Sequence, residues 1–264
     1  MWSGSVPNRS MDLKQDVGDG FDVRSLAVTY REGHSLSDHT HPWAQLIFAR
    51  SGMMNVDTDG QLWFVPPTKA VWVPANVPHR IRFKGEVAMR TLYVSERRAD
   101  AVQRQVQTLE VSPLLHHLVE HIHRIKMLDP QIPGHDHLAA VLVDLILEAP
   151  VLDLVLPCPK DARAAHLAEY LRENPTDKRV LKELAADSGA SLRTMQRHFS
   201  EQTGLSLDVW RQKARLVHSF SVLAAGKPVS VAASESGFES SSAFIAAFKK
   251  HFGTTPGKIR TGAG

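Results

Sequence analysis

One nine-residue pattern occurs twice, and it restricts the C-terminal half more than any property of composition does. Leu181-Lys-Glu-Leu-Ala185-Ala-Asp-Ser-Gly189 returns as Val229-Ser-Val-Ala-Ala233-Ser-Glu-Ser-Gly237, with the shared Ala and Gly displaced by 48 positions. Each copy reads as a short helix closed by a glycine. A serine follows, Ser191 or Ser240, suited to cap a new helix. The new helices end alike, at Phe199-x4-Gly204-Leu-Ser and Phe248-x4-Gly253-Thr-Thr, now displaced by 49, so the second turn is one residue longer. A small alanine at the fifth position lets two helices cross closely, and glycine at the ninth supplies a positive φ. Helix, tight turn, helix is the helix-turn-helix arrangement. Two copies joined by an amphipathic helix over 207–225 are much more specific than one. A plain helical bundle is the competing reading.

Charge divides the chain at the same place. Residues 160–264 carry 16 Lys and Arg against 10 Asp and Glu, whereas residues 1–159 carry 15 against 18. Only the C-terminal half is suited to approach a polyanion, although a solvated basic face has the same arithmetic. With 43% hydrophobic residues among 264, the chain can build two ordinary cores. The one cysteine, Cys158, excludes an internal disulfide and a Cys-rich zinc finger. The longest apolar stretch, near 138–147, is too short to span a bilayer. No basic segment followed by an apolar core opens the chain, so no signal peptide is expected. A soluble, cytoplasmic protein with no membrane partner is the expectation.

The C-terminal residues resemble the AraC/XylS family of transcription regulators. The resemblance is carried by Ser191-Leu-Arg-Thr-Met-Gln-Arg-His-Phe199, Trp210-Arg-Gln-Lys-Ala-Arg-Leu216, Gly237-Phe-Glu-Ser-Ser-Ser-Ala-Phe244 and Phe252-Gly-Thr-Thr-Pro256, over about residues 160–260. It implies a regulator that binds double-stranded promoter DNA, works with RNA polymerase and activates a nearby operon. It also implies a rigid central helix that separates two recognition helices by about 34 Å, one DNA turn. On the first recognition helix Leu192, Met195 and Phe199 point inward at spacings of three and four. Arg193, Gln196 and Arg197 are then free outward, with Ser191 and Thr194 at the helix start. Arg suits guanine and Gln suits adenine. The second helix offers Ser240, Ser241, Ser242 and Ala246, with no Arg where many family members have one, so it should read bases weakly. Lys249, Lys250 and His251 suit phosphate contacts or a solvated face.

Residues 1–20 are polar and aperiodic, as in a mobile tail. From 21 to 95 short β-type runs, at 44–49, 53–57, 61–65, 70–73, 79–83 and 87–94, alternate with turn residues and predict a small barrel. Here His39-x-His41-x3-Gln45-x6-Gly52 resembles the first cupin motif, with Gln in place of Glu. Pro74-x-Asn76-x2-His79 resembles the second, with Asn in place of Gly and Thr68 in place of the leading glycine. His39, His41, His79 and Gln45 are thus candidate ligands for one divalent ion such as Zn, Ni, Co or Fe. The alternatives are a metal-free pocket for a small-molecule effector, or incidental surface histidines. Trp43, Trp63 and Trp72 are assigned to the core, with one of them flanking an effector as the alternative. His116, His117, His121 and His123, like His135 and His137, read as polar helix faces.

Residues 96–150 turn helical. Leu115, Leu118, Ile122 and Ile125 share one face. The helix 137–148 is apolar nearly all round, so burial on more than one side is expected. Leu138, Val141, Leu142 and Leu145 are the candidate contacts of a homodimer. Residues 151–160, with Pro157-Cys158-Pro159, read as a linker before the DNA-binding part at 161–260. The fold class is α+β with two domains: a cupin-like barrel with appended helices, then an all-α double helix-turn-helix. The function expected is that of a ligand- or metal-responsive transcription regulator, not an enzyme. The alternative is a metal-dependent cupin enzyme fused to a DNA-binding domain.

Overall fold

The computed structural model describes residues 20–67, 69–102 and 104–261. Of the tail expected over 1–20, residues 1–19 lie outside the described residues, as does Thr68. The first half is antiparallel sheet: β1 (Val23–Tyr30), β2 (Ser35–His39), β3 (Ala44–Thr58), β4 (Gln61–Val65), β5 (Lys69–Val73) and β6 (His79–Val94). Two of the breaks expected from turn residues are not strand ends. β3 pairs with β6 from Ala44↔Val94 to Asp57↔Arg80, with register shifts around Ser51. At Gly52 φ is +78°, and a Cβ there would lie 2.2 Å from the Glu86 carbonyl oxygen and 2.9 Å from the Val87 Cα. The strands approach too closely for a side chain, so glycine makes a bulge where a turn was expected.

Alternation along the strands sorts side chains into two layers. Ile47, Ala49, Val71, Val73, Ile81, Phe83 and Met89 fill the barrel interior. On the opposite face Leu46, Phe48, Trp72 and Leu92 pack under helices. Those helices are α2 (Pro113–Ile125) and α3 (Pro133–Glu148), which follow α1 (Glu96–Ala99) and β7 (Gln107–Glu110), with β8 (Met127–Leu128) between them. β7 was not expected; its Leu109 and Thr108 extend the sheet beside β5. Asp22 ties the layer together by accepting from Arg97 and Arg98, and Arg98 also reaches Asp136 on α3. Burial pushes the Asp22 carboxyl up, but the two guanidinium groups outweigh it and hold it below the usual range.

The apolar helix α3 is buried on one side only. Ala139, Leu142, Val143 and Ile146 face the sheet, while Val141 and Leu147 are 42% and 49% exposed. Leu142 is therefore not a dimer contact as expected: it is fully buried in the chain's own core. Leu138 and Leu145 are half-buried against the same cluster.

The expected linker is also structured. β9 (Val151–Leu152) pairs with β7, and β10 (Val155–Pro157) pairs with β4. Leu154 and Leu156 are fully buried, and Val155 packs on the barrel side. Alternating apolar residues make this stretch a strand, and the prolines end it.

Helices then follow without interruption: α4 (Ala162–Glu173), α5 (Leu181–Asp187), α6 (Leu192–Thr203), α7 (Leu207–Ala224), α8 (Val229–Glu235), α9 (Ser241–Phe252) and α10 (Pro256–Thr261). Their core is continuous with Met53, Leu62 and Phe64 of the barrel. The Trp210 indole N–H donates to the Pro157 carbonyl at 2.7 Å, and Lys213 reaches Asp153 at 2.7 Å. The architecture is the expected α+β pair, a cupin-like sheet domain and a helical one, joined by a packed seam.

His218 of α7 lies at that seam. Burial, with Lys84 and Lys227 nearby and Glu235 opposing them, lowers its pKa to about 4. The unfolded ring titrates near 6.5. Between these values the unfolded chain holds the extra proton, so stability is complete above about pH 6.5 and falls toward pH 4. Thermal melts at pH 7.5 and pH 5 should show a smaller loss of Tm for His218→Gln than for the parent. An equal loss would remove His218 from this role.

Candidate functional sites: a nucleic-acid interface and a histidine cluster

The repeat folds as two helix-turn-helix units. Ala185 and Ala233 are buried at the helix crossings, and Gly189 and Gly237 have φ of +77° and +76°. The Ser191 hydroxyl accepts from the Thr194 N–H, and the Ser240 hydroxyl from the Ala243 N–H. These caps start α6 and α9, and left-handed Gly204 and Gly253 end them.

Met195 and Phe199 on α6 are fully buried and Leu192 half-buried, so Arg193, Gln196 and Arg197 face solvent. Thr194 is half-buried and its hydroxyl meets that of Ser191. Arg197 has Glu201 at 3.5 Å, both well exposed, a pair weak enough to exchange for a base edge. On α9 Ser242, Ala246, Lys249 and Lys250 are exposed, and Ser241 is half-buried. Ser240 shares a hydroxyl contact with Ser242. Ile245, 38% exposed on the same face, was missed. The 49-residue register that aligns Met195 with Phe244 would have found it opposite Gln196. His251 is not a free basic group, since its Nε2 lies 3.3 Å from Asp153 and burial lowers its pKa.

The barrel brings together the residues of both cupin-like motifs. His39 pairs with His79 across β2 and β6, and Gln45 lies on β3 between Val73 and Tyr93. Strand parity points Gln45, His79, Thr91 and Tyr93 inward with Ile47, Ile81 and Met89. One ring nitrogen from each of His39, His41 and His79 falls within 4.8 Å of the others. His41 and His79 are almost fully buried, and His39 is half-buried. Asn76 adopts φ +62°, a left-handed turn that Asn tolerates, and its backbone N–H donates to the His41 carbonyl.

Each ring is oriented by a backbone carbonyl on Nδ1: Ser37 for His39 at 2.8 Å, Trp43 for His41 at 2.7 Å and Val77 for His79 at 2.9 Å. A carbonyl can only accept, so Nδ1 carries the proton and Nε2 presents a lone pair. Gln45 is oriented too. The Thr91 hydroxyl donates to the Leu46 carbonyl and so must accept from Gln45 Nε2, leaving Oε1 aimed at His41 Nε2 and His79 Nε2, at 3.1 and 3.0 Å. Two imidazole lone pairs therefore face a carbonyl oxygen with no proton between them. Protonating the rings would supply donors, but burial opposes it, lowering His41 and taking His79 to about 4. Backbone-oriented imidazoles around an unsatisfied, electron-rich centre suit a cation.

Trp43, Trp63 and Trp72 are all buried, Trp63 within the barrel cluster and Trp72 beneath the helices. His117 and His121 are exposed on α2, and His116 stacks edge-on against Phe48 at 5.4 Å. Among the described residues the three barrel histidines form the group with metal-ligating spacing. No helix among those residues is long and apolar enough to cross a membrane.

Known proteins show the same two parts. Residues 184–262 match a family model described as a helix-turn-helix domain, and residues 26–95 match one described as a cupin domain. The HTH-type transcriptional regulator NimR of Escherichia coli (strain K12) is 30% identical over 220 residues, covering 83% of this chain and 80% of that one. The HTH-type transcriptional regulator RipA of Corynebacterium glutamicum is 41% identical over 107 residues, 40% of this chain and 32% of RipA. A crystal structure of Vibrio cholerae ToxT with bound unsaturated fatty acid aligns over 90% of this chain and 95% of that one. Its 10% identity and TM-score of 0.38 are too low to bear on the site. With NimR matched over most of both chains, and with two helix-turn-helix units behind a cupin-type barrel, the chain belongs to the AraC/XylS family of DNA-binding transcription regulators.

Proposed function

We propose that this regulator reads its operator mainly through α6 and responds to a divalent metal ion held by the barrel. Arg193, Gln196 and Arg197 are the base-reading side chains in this reading. Ser191, Thr194, Ser240, Ser241 and Ser242 approach the groove at the helix starts, Ala246 approaches it from the middle of α9, and Lys249 and Lys250 hold phosphates. The observation that carries it is the exposure of Arg193, Gln196, Arg197, Ser242, Ala246, Lys249 and Lys250 on two helices whose other sides hold fully buried Met195, Phe199, Phe244 and Phe248. Partnership with RNA polymerase and activation of a nearby operon rest on the family resemblance alone.

Arg197→Ala should cost about 1–3 kcal/mol on an operator selected from a random duplex library, and relax specificity at one base pair. Lys249→Ala should weaken binding to all sequences and flatten the salt dependence. Fluorescence anisotropy over a salt series separates the two. Equal loss on operator and random DNA for Arg197→Ala would sink its role as a base reader.

The metal reading rests on the lone-pair arrangement of His41, His79 and Gln45. His39, His41 and His79 would hold the ion, with Gln45 as an oxygen donor, and Zn, Ni, Co or Fe suits that set. A bound ion would supply the positive charge that the buried acceptors lack. Calorimetry with Zn²⁺, Ni²⁺ or Co²⁺ should show one site per chain that His79→Ala abolishes and His117→Ala leaves intact. Binding that survives His79→Ala would leave a metal-free pocket for a small-molecule effector as the better reading. The enzyme alternative gains no support, because the acidic ligand of the first motif is Gln45 and the curated relatives above are regulators.

A homodimer is proposed on the outer face of α3, where Val141 and Leu147 stand exposed beside half-buried Leu138 and Leu145. Two linked readers gain affinity through effective concentration. Light scattering at micromolar protein should give twice the chain mass, and Val141→Asp should return it to a monomer. A parent monomer in low salt would refute this.

A further inference from the structure

The two recognition helices share one frame but not one chemistry. Displaced by 49 residues, cap Ser191 matches Ser240, buried Met195 and Phe199 match buried Phe244 and Phe248, and left-handed Gly204 matches Gly253. In that frame Arg193, Gln196 and Arg197 correspond to Ser242, Ile245 and Ala246, all exposed. Where α6 presents its two central base-reading groups, α9 presents a branched hydrocarbon and a methyl. Ile245 is 38% exposed although Phe244 beside it is fully buried, so it is not needed for the core. Lys249, one turn further along, is exposed and placed for the backbone.

We infer that Ile245 reads the 5-methyl group of thymine, so that the operator half-site under α9 is specified by a thymine rather than by polar base contacts. This rests on α6 and α9 being the recognition helices. Among the groups that base pairs present in the major groove, the thymine methyl is the apolar one. Covering it with Ile245 removes two apolar surfaces from water together. Placing Ile245 on cytosine N4 or adenine N6 would instead strip a donor of its partner. Ala246 lets the helix come near enough for the contact, where an arginine of the α6 type would hold a guanine.

Duplexes selected from a random library by the full-length protein provide the test. Replacing thymine by deoxyuracil, one position at a time, removes only the methyl. At one position in the half-site under α9 the affinity should fall about three- to fivefold, the worth of one buried methyl group. Ile245→Ala should bind the thymine duplex as weakly as the parent binds the uracil duplex and no longer distinguish the two. Ile245→Gln should shift the preferred base at that position toward adenine. Unchanged melting and unchanged binding to random DNA would show that these variants are folded. No uracil effect in that half-site, or full discrimination retained by Ile245→Ala, overturns the assignment while leaving α6 as a reader. If no sequence is selected at all, the recognition reading itself fails, and this inference with it.

Discussion

Everything in the helical half depends on α7 being buried along most of its length. Leu207, Trp210, Ala214, Leu216, Val217, Ser219, Phe220, Val222 and Leu223 are all nearly or fully inaccessible. Each recognition helix is fixed to it by an aromatic pair. Phe199 of α6 meets Trp210 at 5.4 Å, and Phe248 of α9 meets Phe220 at 5.2 Å. The two anchors are ten residues apart, about 15 Å along a rigid helix. The relative placement of α6 and α9 is therefore set by side-chain packing on one helix. Arg211 and Arg215 add to it by donating to carbonyls of Pro175, Asp177 and Arg179. Gly237 is required at the same place, because a Cβ would lie 2.0 Å from the Pro175 oxygen. Its repeat partner Gly189 has open space there and needs only the positive φ.

The segment 151–161 joins that spine to the barrel on both flanks. Its strand β10 belongs to the barrel sheet through Trp63 and Leu62. Asp153 faces Lys213 on α7 and His251 on α9, while Gln202 of α6 accepts from the Lys160 and Asp161 N–H groups. Both helix-turn-helix units thus touch residues that flank β10. Few apolar residues produce this double allegiance: Leu154 and Leu156 face the helical core, and Val155 between them faces the barrel.

The repeat made the helical half legible, because its cap serines, crossing alanines and turn glycines are local signals with fixed spacing. The histidines were legible for the same reason, as period-2 positions around a turn. What escaped depended on tertiary partners. Gly52 and Gly85 resemble turn residues, and only the proximity of β6 makes the first a bulge within a long strand. Prolines near 157 suggested a linker, but pairing with β4 made a strand of what precedes them. Leu142 carried no mark to separate a core leucine from an interface leucine, and the sheet beneath α3 decided it. The hydrogen-bond directions that make His41, His79 and Gln45 a set of acceptors come from Thr91 and three backbone carbonyls, whose positions no spacing encodes.

The strand that carries the buried histidine is also the strand that meets the helical domain. His79 opens β6, and Arg82, three residues and about 10 Å further along, lines a cavity of about 140 Å³ with Glu169, Arg172, Cys158 and Trp210. Arg82 is held there by two bonds to Asp57 on β3, at 2.9 and 2.8 Å. Lys84, two residues on, is exposed, yet partial desolvation and then the nearby Arg172 charge lower its pKa. β3 and β6 are paired through Asn55, Val56 and Asp57 over the same stretch, so the ladder that carries His79 also carries the Arg82–Asp57 pair toward the helical domain.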